Sequence, residues 1–329
     1  MQKLVAKFAF LLVLLAALLV PAAHFLDQFF SSRFRSEKDF WVMNQKGGEF
    51  DFAVLGSSRV YNNVDINEMR RILGGTGINM GVAGTGYGGM QLILNRFYNN
   101  GNRIRTLLIQ VDIFGFDSKS SYSNPFPVHM YLPFMGSDSD AERIIKEKSS
   151  PLDYFLWKQF PFVKYLEFNT EYLKFLFRHI RPKFEVELTG NSGSQLLGEG
   201  YAATFRFKNG KRKIVMDDYA DLVKIVTLAR SHGTTVLMFT SPQFHELYGM
   251  ISTYPAYSDV LGHVVSRYDI PILAIDDSAL SRNRELFVDF THTNSHGSKL
   301  FSRKLAEHLK KYLDEHPHLP RDIGSPSLY

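Results

Sequence analysis

Along most of this chain the apolar residues come in short solid runs that stop at glycine, serine or aspartate. Between those runs lie longer stretches in which apolar positions recur every three or four residues. Asp51-Phe52-Ala53-Val54-Leu55 is such a run: short for a helix and without the alternation of a half-solvated strand, it predicts a strand buried on both faces. The same reading predicts strands at 50–56, 77–82, 106–113, 234–240 and 270–276. Helices are expected at 66–73, capped by Asp65, and at 87–99, 217–231 and 258–267, and an amphipathic run follows from Ser298 to Leu313. Such alternation implies an α/β fold built on a five-stranded parallel sheet flanked by helices.

Two stretches break the rhythm. Lys3 and Lys7 precede an uncharged apolar run from Phe8 to Ala23, which reaches spanning length when continued through His24, Phe25 and Leu26. Residues 1–30 therefore predict one N-terminal membrane helix or a signal peptide cleaved near Val20-Pro21-Ala22. In either case the positive flank stays inside, so the rest of the chain is expected outside the cytoplasm, periplasmic or extracellular. Residues 31–48, with mixed charges and Trp41, read as a connector, and 49–315 as the main domain.

The second break is an insertion at 117–212, rich in proline and aromatic residues, with Phe, Tyr, Trp and Leu at helical intervals from Tyr154 to Phe177. It is expected to be a mainly helical subdomain with its own small core. The alternative is a cover over the cleft, or a surface that touches the membrane or a membrane partner. Gly198 to Gly210 reads as a loop and hairpin, and 316–329 as a flexible tail rich in Pro, Ser and Gly.

Composition narrows the classes. With 329 residues and 45% hydrophobic content the chain has enough apolar material for one large domain or two ordinary ones. Its net charge of +5 is spread along the sequence and makes no case for nucleic acid. No cysteine is present, which excludes disulfides, thiolate metal sites and a cysteine nucleophile. His292 and His296 have helical i, i+4 spacing but no Glu between them as in zinc hydrolases, so no metal or other cofactor is expected. The turn Gly84-Thr85-Gly86-Tyr87-Gly88-Gly89 lacks the Lys-Ser/Thr of a phosphate-binding loop.

What chemistry the chain offers lies at two distant points. The first predicted strand ends in Gly56-Ser57-Ser58, and open α/β sheets bind ligands outside the carboxyl ends of their strands. The residues before the last helix read Asp289-Phe290-Thr291-His292-Thr293-Asn294-Ser295-His296-Gly297. Asp289 and His292 stand three apart, close enough for a carboxylate to orient an imidazole that serves a serine as base. His296 competes for that role but has no acidic residue three positions before it.

Gly56-Ser57-Ser58, Asn79-Met80-Gly81-Val82-Ala83-Gly84 and Asp289-Phe290-Thr291-His292, in that order and spacing, resemble three of the four sequence blocks of the SGNH/GDSL hydrolase superfamily. The closest likeness is to its membrane-anchored members, such as the lipoteichoic acid D-alanylation accessory proteins and the alginate O-acetylation proteins. The resemblance implies an SGNH-like, flavodoxin-like sheet. It makes Ser58 the nucleophile, His292 the base and Asp289 its orienter, with the amides of Ser58 and Gly84 as the oxyanion hole. One departure is plain: the third block's Asn has no counterpart in Gln110-Val111-Asp112, so either another group donates, with Asn62 and Asn63 as candidates by proximity in sequence, or the catalyst is slow or specialised. Ser57, Arg59, Asn62, Asn79, Asp112, His245 and Asn294 are expected along the substrate cleft, with a plain surface position as the alternative for His245.

The function so implied is that of an extracytoplasmic serine esterase or O-acyltransferase. Its substrates would be acyl esters, above all acetyl esters, of an envelope or exported polysaccharide. Two alternatives stand beside it: a lipid or thioester hydrolase, and a non-catalytic partner of a multispanning membrane O-acyltransferase.

Overall fold

The chain begins with the long helix α1 (Gln2–Ser32) and the short α2 (Lys38–Met43), followed by β1 (Glu49–Leu55), α3 (Ser58–Asn63), α4 (Ile66–Leu73), β2 (Gly77–Asn79), α5 (Tyr87–Asn99) and β3 (Arg103–Gln110). The insertion supplies α6 (Val128–Tyr131), a 3-10 turn at Leu132–Phe134, α7 (Ser139–Lys148), α8 (Pro151–Gln159), α9 (Phe162–Glu167), α10 (Asn169–His179) and α11 (Lys183–Gly190). The alternating pattern resumes with α12 (Ala220–Ser231), β4 (Thr235–Phe239), α13 (Glu246–Met250), α14 (Tyr254–Tyr268), β5 (Ile272–Leu273) and α15 (Ser278–Arg282). A second 3-10 turn (Arg284–Leu286) and α16 (Ser295–Glu315) complete it. This computed structural model describes residues 2–35, 37–113, 128–180, 183–198, 219–275 and 278–317. Most of the hairpin expected at 198–210 and the tail beyond 317 lie outside the described residues.

The five strands form one sheet in the order β2-β1-β3-β4-β5, every neighbouring pair parallel. Phe52 pairs with both Gly77 and Thr106, Thr106 with Thr235, and Met238 with Ile272, so the carboxyl ends of all five strands share one edge. Solid apolar runs fit this arrangement because helices cover both faces of a parallel sheet. Val54, Leu55, Leu107, Leu108, Ile109, Leu237, Met238 and Phe239 are fully buried. The outer strands β2 and β5 are shorter than the runs at 77–82 and 270–276 predict, since each pairs on one side only. Beyond β2, Met80 N still donates to Val54 O (2.8 Å) and Val82 N to Gly56 O (3.0 Å), so the chain follows β1 past its end.

Asp65 caps α4 as expected, accepting from Asn67 N (2.9 Å) and Glu68 N (3.2 Å). Its own amide donates to Ser302 Oγ of α16 (2.7 Å), and Glu68 pairs with Arg303 (2.8 Å). The final helix is thereby bonded to the first βα unit.

Two compact units emerge, one of Met1–Asn44 with Pro125–Glu185 and one, holding the sheet, of Gln45–Asn124 with Val186–Tyr329. In the first unit, the C-terminal end of α1 packs Phe29, Phe30 and Phe34 against Tyr172, Phe175 and His179 of α10 and Tyr165 of α9. Residues 31–48, expected as a connector, contribute Phe34, Phe40, Val42 and Met43 to this core, all fully buried. The mixed charges of the segment hid that apolar content. Among the described residues α1 is the one helix long and apolar enough to cross a membrane.

Lys164 of α9 is buried, and its ammonium meets the Asp27 carboxylate of α1 at 2.6 Å while donating to Leu132 O (3.2 Å). Burial lowers the Lys164 pKa and the Asp27 charge acts against that shift. Removing one partner of such a pair leaves the other charge uncompensated. Lys164→Ala should therefore destabilise this unit by about 3–5 kcal/mol. Both tryptophans, Trp41 and Trp157, lie in the unit, so urea unfolding followed by intrinsic fluorescence reads the change.

Candidate active site

The run Phe52–Leu55 delivers the chain to Gly56 at the carboxyl edge of the sheet. Gly56 is not in the left-handed region; it is needed for space, because a Cβ there would strike Val60 Cγ2 and Gln110 Oε1. The next two serines part company. Ser57 caps α3, its Oγ accepting from Arg59 N (3.4 Å), and both its amide (3.0 Å) and its hydroxyl (3.2 Å) donate to Gln110 Oε1. Ser58, the first residue of α3, places its Oγ 2.8 Å from His292 Nε2.

The histidine comes from a tight loop between the second 3-10 turn and α16. A Phe287–Thr293 bridge closes the loop, and Val288 N donates to His292 O (2.9 Å), so Asp289 and His292 fall on one side. One carboxylate oxygen of Asp289 accepts from Thr291 N (2.7 Å), His292 N (2.8 Å) and Thr291 Oγ1 (3.0 Å) and so organises the loop. The other oxygen lies 2.8 Å from His292 Nδ1. Partial burial pushes the Asp289 carboxyl up, but the hydrogen bond and charge of His292, with the two amides, outweigh it and hold the group at about 2. An ionised carboxylate only accepts, so Nδ1 carries the proton and Nε2 is left to accept from the Ser58 hydroxyl.

Asn63, at the far end of α3, locks the helix that begins at Ser58 to the loop of His292. Its Nδ2 donates to Thr291 O (3.0 Å) and Ser241 Oγ (3.0 Å), and its Oδ1 accepts from Thr293 N (3.0 Å). Those bonds occupy the amide fully, so Asn63 is a clamp and not the replacement oxyanion donor considered from the sequence. Asn62 is half-buried, and its carbonyl accepts from Ser298 Oγ (2.9 Å).

The oxyanion amides expected at Ser58 and Gly84 follow adjacent strands. Each lies two residues beyond the Val82 N to Gly56 O bond. Gly84 is an exposed turn residue with φ +72°, which explains its identity, whereas Gly81 is glycine because a Cβ would strike Tyr61 N. At the end of β3, Gln110 Nε2 donates to Asp112 Oδ2 (2.5 Å) and Asp112 is ion-paired with Arg59.

Several residues expected along the cleft are corrected. Arg59 and Asp112 are buried against each other, with 3% and 5% of their side chains exposed. Asn79 is fully buried, its Nδ2 donating to Val60 O (2.8 Å) and Val64 O (3.0 Å) and its Oδ1 accepting from Gly81 N (2.9 Å). Asn294 is buried as the cap of α16, accepting from Gly297 N (3.0 Å) and donating to Glu285 O (2.6 Å). Asn79 and Asn294 thus serve buried backbone, and Arg59 and Asp112 serve each other, instead of solvent. Ser57 is half-buried with its hydroxyl committed to Gln110, and His245 is exposed beside Phe244, as is His296 on the first turn of α16. Gln110 was missed in the sequence, although a glutamine closing the apolar run Leu107-Leu108-Ile109 signals a buried polar group that must find partners.

A cavity of about 400 Å³ lies near the amino ends of β1, β3 and β4, beside Asp51, Arg105, Thr235 and Lys310. That is the end of the sheet opposite Ser58, and the Asp51–Arg105 ion pair (2.9 Å) stands in it. No protein-family model matches the chain, and no curated protein matches its sequence. What the fold and site define is an α/β protein whose parallel sheet presents a Ser-His-Asp chain of hydrogen bonds at its carboxyl edge.

Asp289→Asn tests the loop's electrostatics. An amide can donate to Nδ1 and favour the other tautomer, so the ¹⁵N NMR signals of the His292 ring should show the proton moved from Nδ1 to Nε2. Because the carboxyl sits at about 2, below its ordinary 3.8, its stabilising effect is complete above pH 3.8 and is lost as pH falls through 2. Thermal melts should show the wild type losing stability between those limits more steeply than the variant.

Proposed function

We propose that this protein is an SGNH-type serine esterase or O-acyltransferase that works outside the cytoplasm on acyl esters, most simply acetyl esters, of an envelope or exported polysaccharide. The observation that carries the reading is the continuous path from Ser58 Oγ through both nitrogens of His292 to Asp289, with 2.8 Å at each link. A hydroxyl at the carboxyl edge of a parallel sheet, bonded to an oriented imidazole, is equipped for acyl transfer. Lys3 and Lys7 before the apolar part of α1 support an orientation with the sheet unit outside.

In this mechanism Ser58 Oγ attacks the ester carbonyl while His292 Nε2 takes its proton. Asp289 stabilises the imidazolium, and the amides of Ser58 and Gly84 receive the negative oxygen. Collapse expels the alcohol, which leaves with the proton from His292, and the acyl group stays on Ser58. A water or sugar hydroxyl then gives its proton to His292 and attacks the acyl-serine, releasing acid or new ester and restoring Ser58.

One observation favours the non-catalytic reading. Where an oxyanion donor from the third block is expected, the end of β3 carries Gln110 and Asp112 bonded to each other, and loss of one such donor slows acyl transfer by roughly 100-fold to 1000-fold. A slow enzyme and a silent partner differ in whether the serine reacts at all.

A fluorophosphonate should label the full-length protein once, at Ser58, as read by intact mass and peptide mapping. Ser58→Ala should abolish labelling and turnover. Ser57→Ala should keep most of both, losing only a helix cap of about 1 kcal/mol. No labelling of a folded, detergent-solubilised protein would leave the silent-partner reading in place of the enzyme.

Esterase and transferase part at the second half-reaction. With a small acetyl ester as donor, hydrolysis should be slow, and an added polysaccharide acceptor should divert acetyl groups from water to sugar. The ratio of acetylated glycan to free acetate by mass spectrometry measures this, and fast hydrolysis that no glycan diverts would sink the transferase.

A further inference from the structure

We infer that the helical insertion is a second membrane-contacting element, in which the outer face of α8–α10 lies in the bilayer interface beside the spanning helix α1. The inference rests on α1 being retained as a membrane span.

The spacing along α1 sets the level at which this unit meets the bilayer. From Phe8 to Leu26 the helix rises about 28 Å at 1.5 Å per residue, close to a hydrocarbon core of about 30 Å. The next residue, Asp27, is the one that Lys164 and Tyr165 of α9 hold, at 2.6 and 2.5 Å. The insertion thus grips α1 where its apolar run ends, at headgroup depth. Phe29 and Phe30, directly after, carry the contact on to α10.

The insertion exposes apolar side chains where a water-soluble bundle would place polar ones. Leu152 and Phe155 of α8, Leu166 of α9, and Leu173, Phe177 and Ile180 along α10 are each between 52% and 74% exposed. On α10 the inward residues are Tyr172 and Phe175, both buried on the aromatic core. Leu173, Phe177 and Ile180 follow an i, i+4, i+7 stripe, so they form a second apolar face that none of the described residues covers. At 3.6 residues per turn the exposed Lys174 lies about 100° round from that stripe, and Arg178, which is ion-paired with Glu37 (2.5 Å), follows it on the same flank. Leu and Phe on one face with basic residues on its flank is the pattern of a helix lying in the interface plane, its cations at the anionic headgroups. A water-soluble protein partner would need no such basic flank and no position at the foot of a span. Continuity with α1 therefore selects lipid as the occupant.

The chain lacks cysteine, so single cysteines can be placed and labelled with an environment-sensitive fluorophore in the full-length protein reconstituted alone into anionic lipid nanodiscs. Four positions suffice: Leu14 within the span, Leu173 and Phe177 on the proposed face, and Lys311, highly exposed on α16. Spin-labelled lipids should quench Leu14 most when the label is deep, and Leu173 and Phe177 most when it is shallow, with blue-shifted emission at all three. Lys311 should be unaffected. Quenching at Leu14 but none at Leu173 and Phe177 would overturn the inference and leave the face to a protein partner, while the span stands. No quenching at Leu14 would overturn the span and the inference with it. Equal quenching at Lys311 and Phe177 would also overturn it, by showing that the insertion is not singled out.

Discussion

A proton passes from a hydroxyl to an imidazole only within hydrogen-bond reach, and here the two groups are 234 positions apart in the chain. The sheet topology supplies the coarse solution, since parallel strands bring all their carboxyl ends to one edge. The fine solution is Asn63, whose side-chain amide bonds the backbone on both sides of His292, at Thr291 and Thr293. Ser298 Oγ adds a bond from α16 to Asn62 O, and Ser295 N reaches Leu197 O (2.8 Å). Every one of these groups is buried or half-buried, so each bond also avoids the penalty of an unpaired polar group.

The same economy governs the nucleophile's own surroundings. Ser57 spends its hydroxyl on Gln110 and on the first turn of α3, which leaves Ser58 alone to meet the imidazole. Gln110 in turn reaches Asp112, and Asp112 holds Arg59, the residue after the nucleophile. A chain of buried polar groups of this kind rigidifies its members, because moving one strands its neighbour. The side chain that could have been an oxyanion donor has instead become part of the support under α3.

The other unit solves a different problem. A long apolar helix needs apolar partners wherever it is not in a membrane, and here the end of α1 enters an aromatic core shared with α2, α9 and α10. Phe30 touches Phe29, Phe34, Phe40, Tyr165, Tyr172 and Phe175, so one residue at the foot of the helix joins all of these segments. The Asp27–Lys164 pair fixes the rotation of α1 within that core in a way apolar contacts alone would not.

The sheet was legible because buried parallel strands need solid apolar runs and sharp stops. Helix 87–99 and the cap at Asp65 were legible for equally local reasons of periodicity and side-chain to amide geometry. The pairing of Asp289 with His292 could be read at three residues' separation for the same reason. The six residues of α3 were not legible, because Asn62 and Asn63 favour loops locally and are held helical by partners more than two hundred residues away. Nor were the buried roles of Asn79, Asn294 and Arg59, since the sequence records a polar side chain but not whether its partner is water or backbone. The sequence by itself determined most of the strands and helices and the pairing of Asp289 with His292, as these depend on neighbours along the chain. Only the tertiary structure decided which amides are clamps, which polar side chains are buried, and that the apolar residues of 34–43 join a core, because those follow from contacts between segments that are remote in sequence.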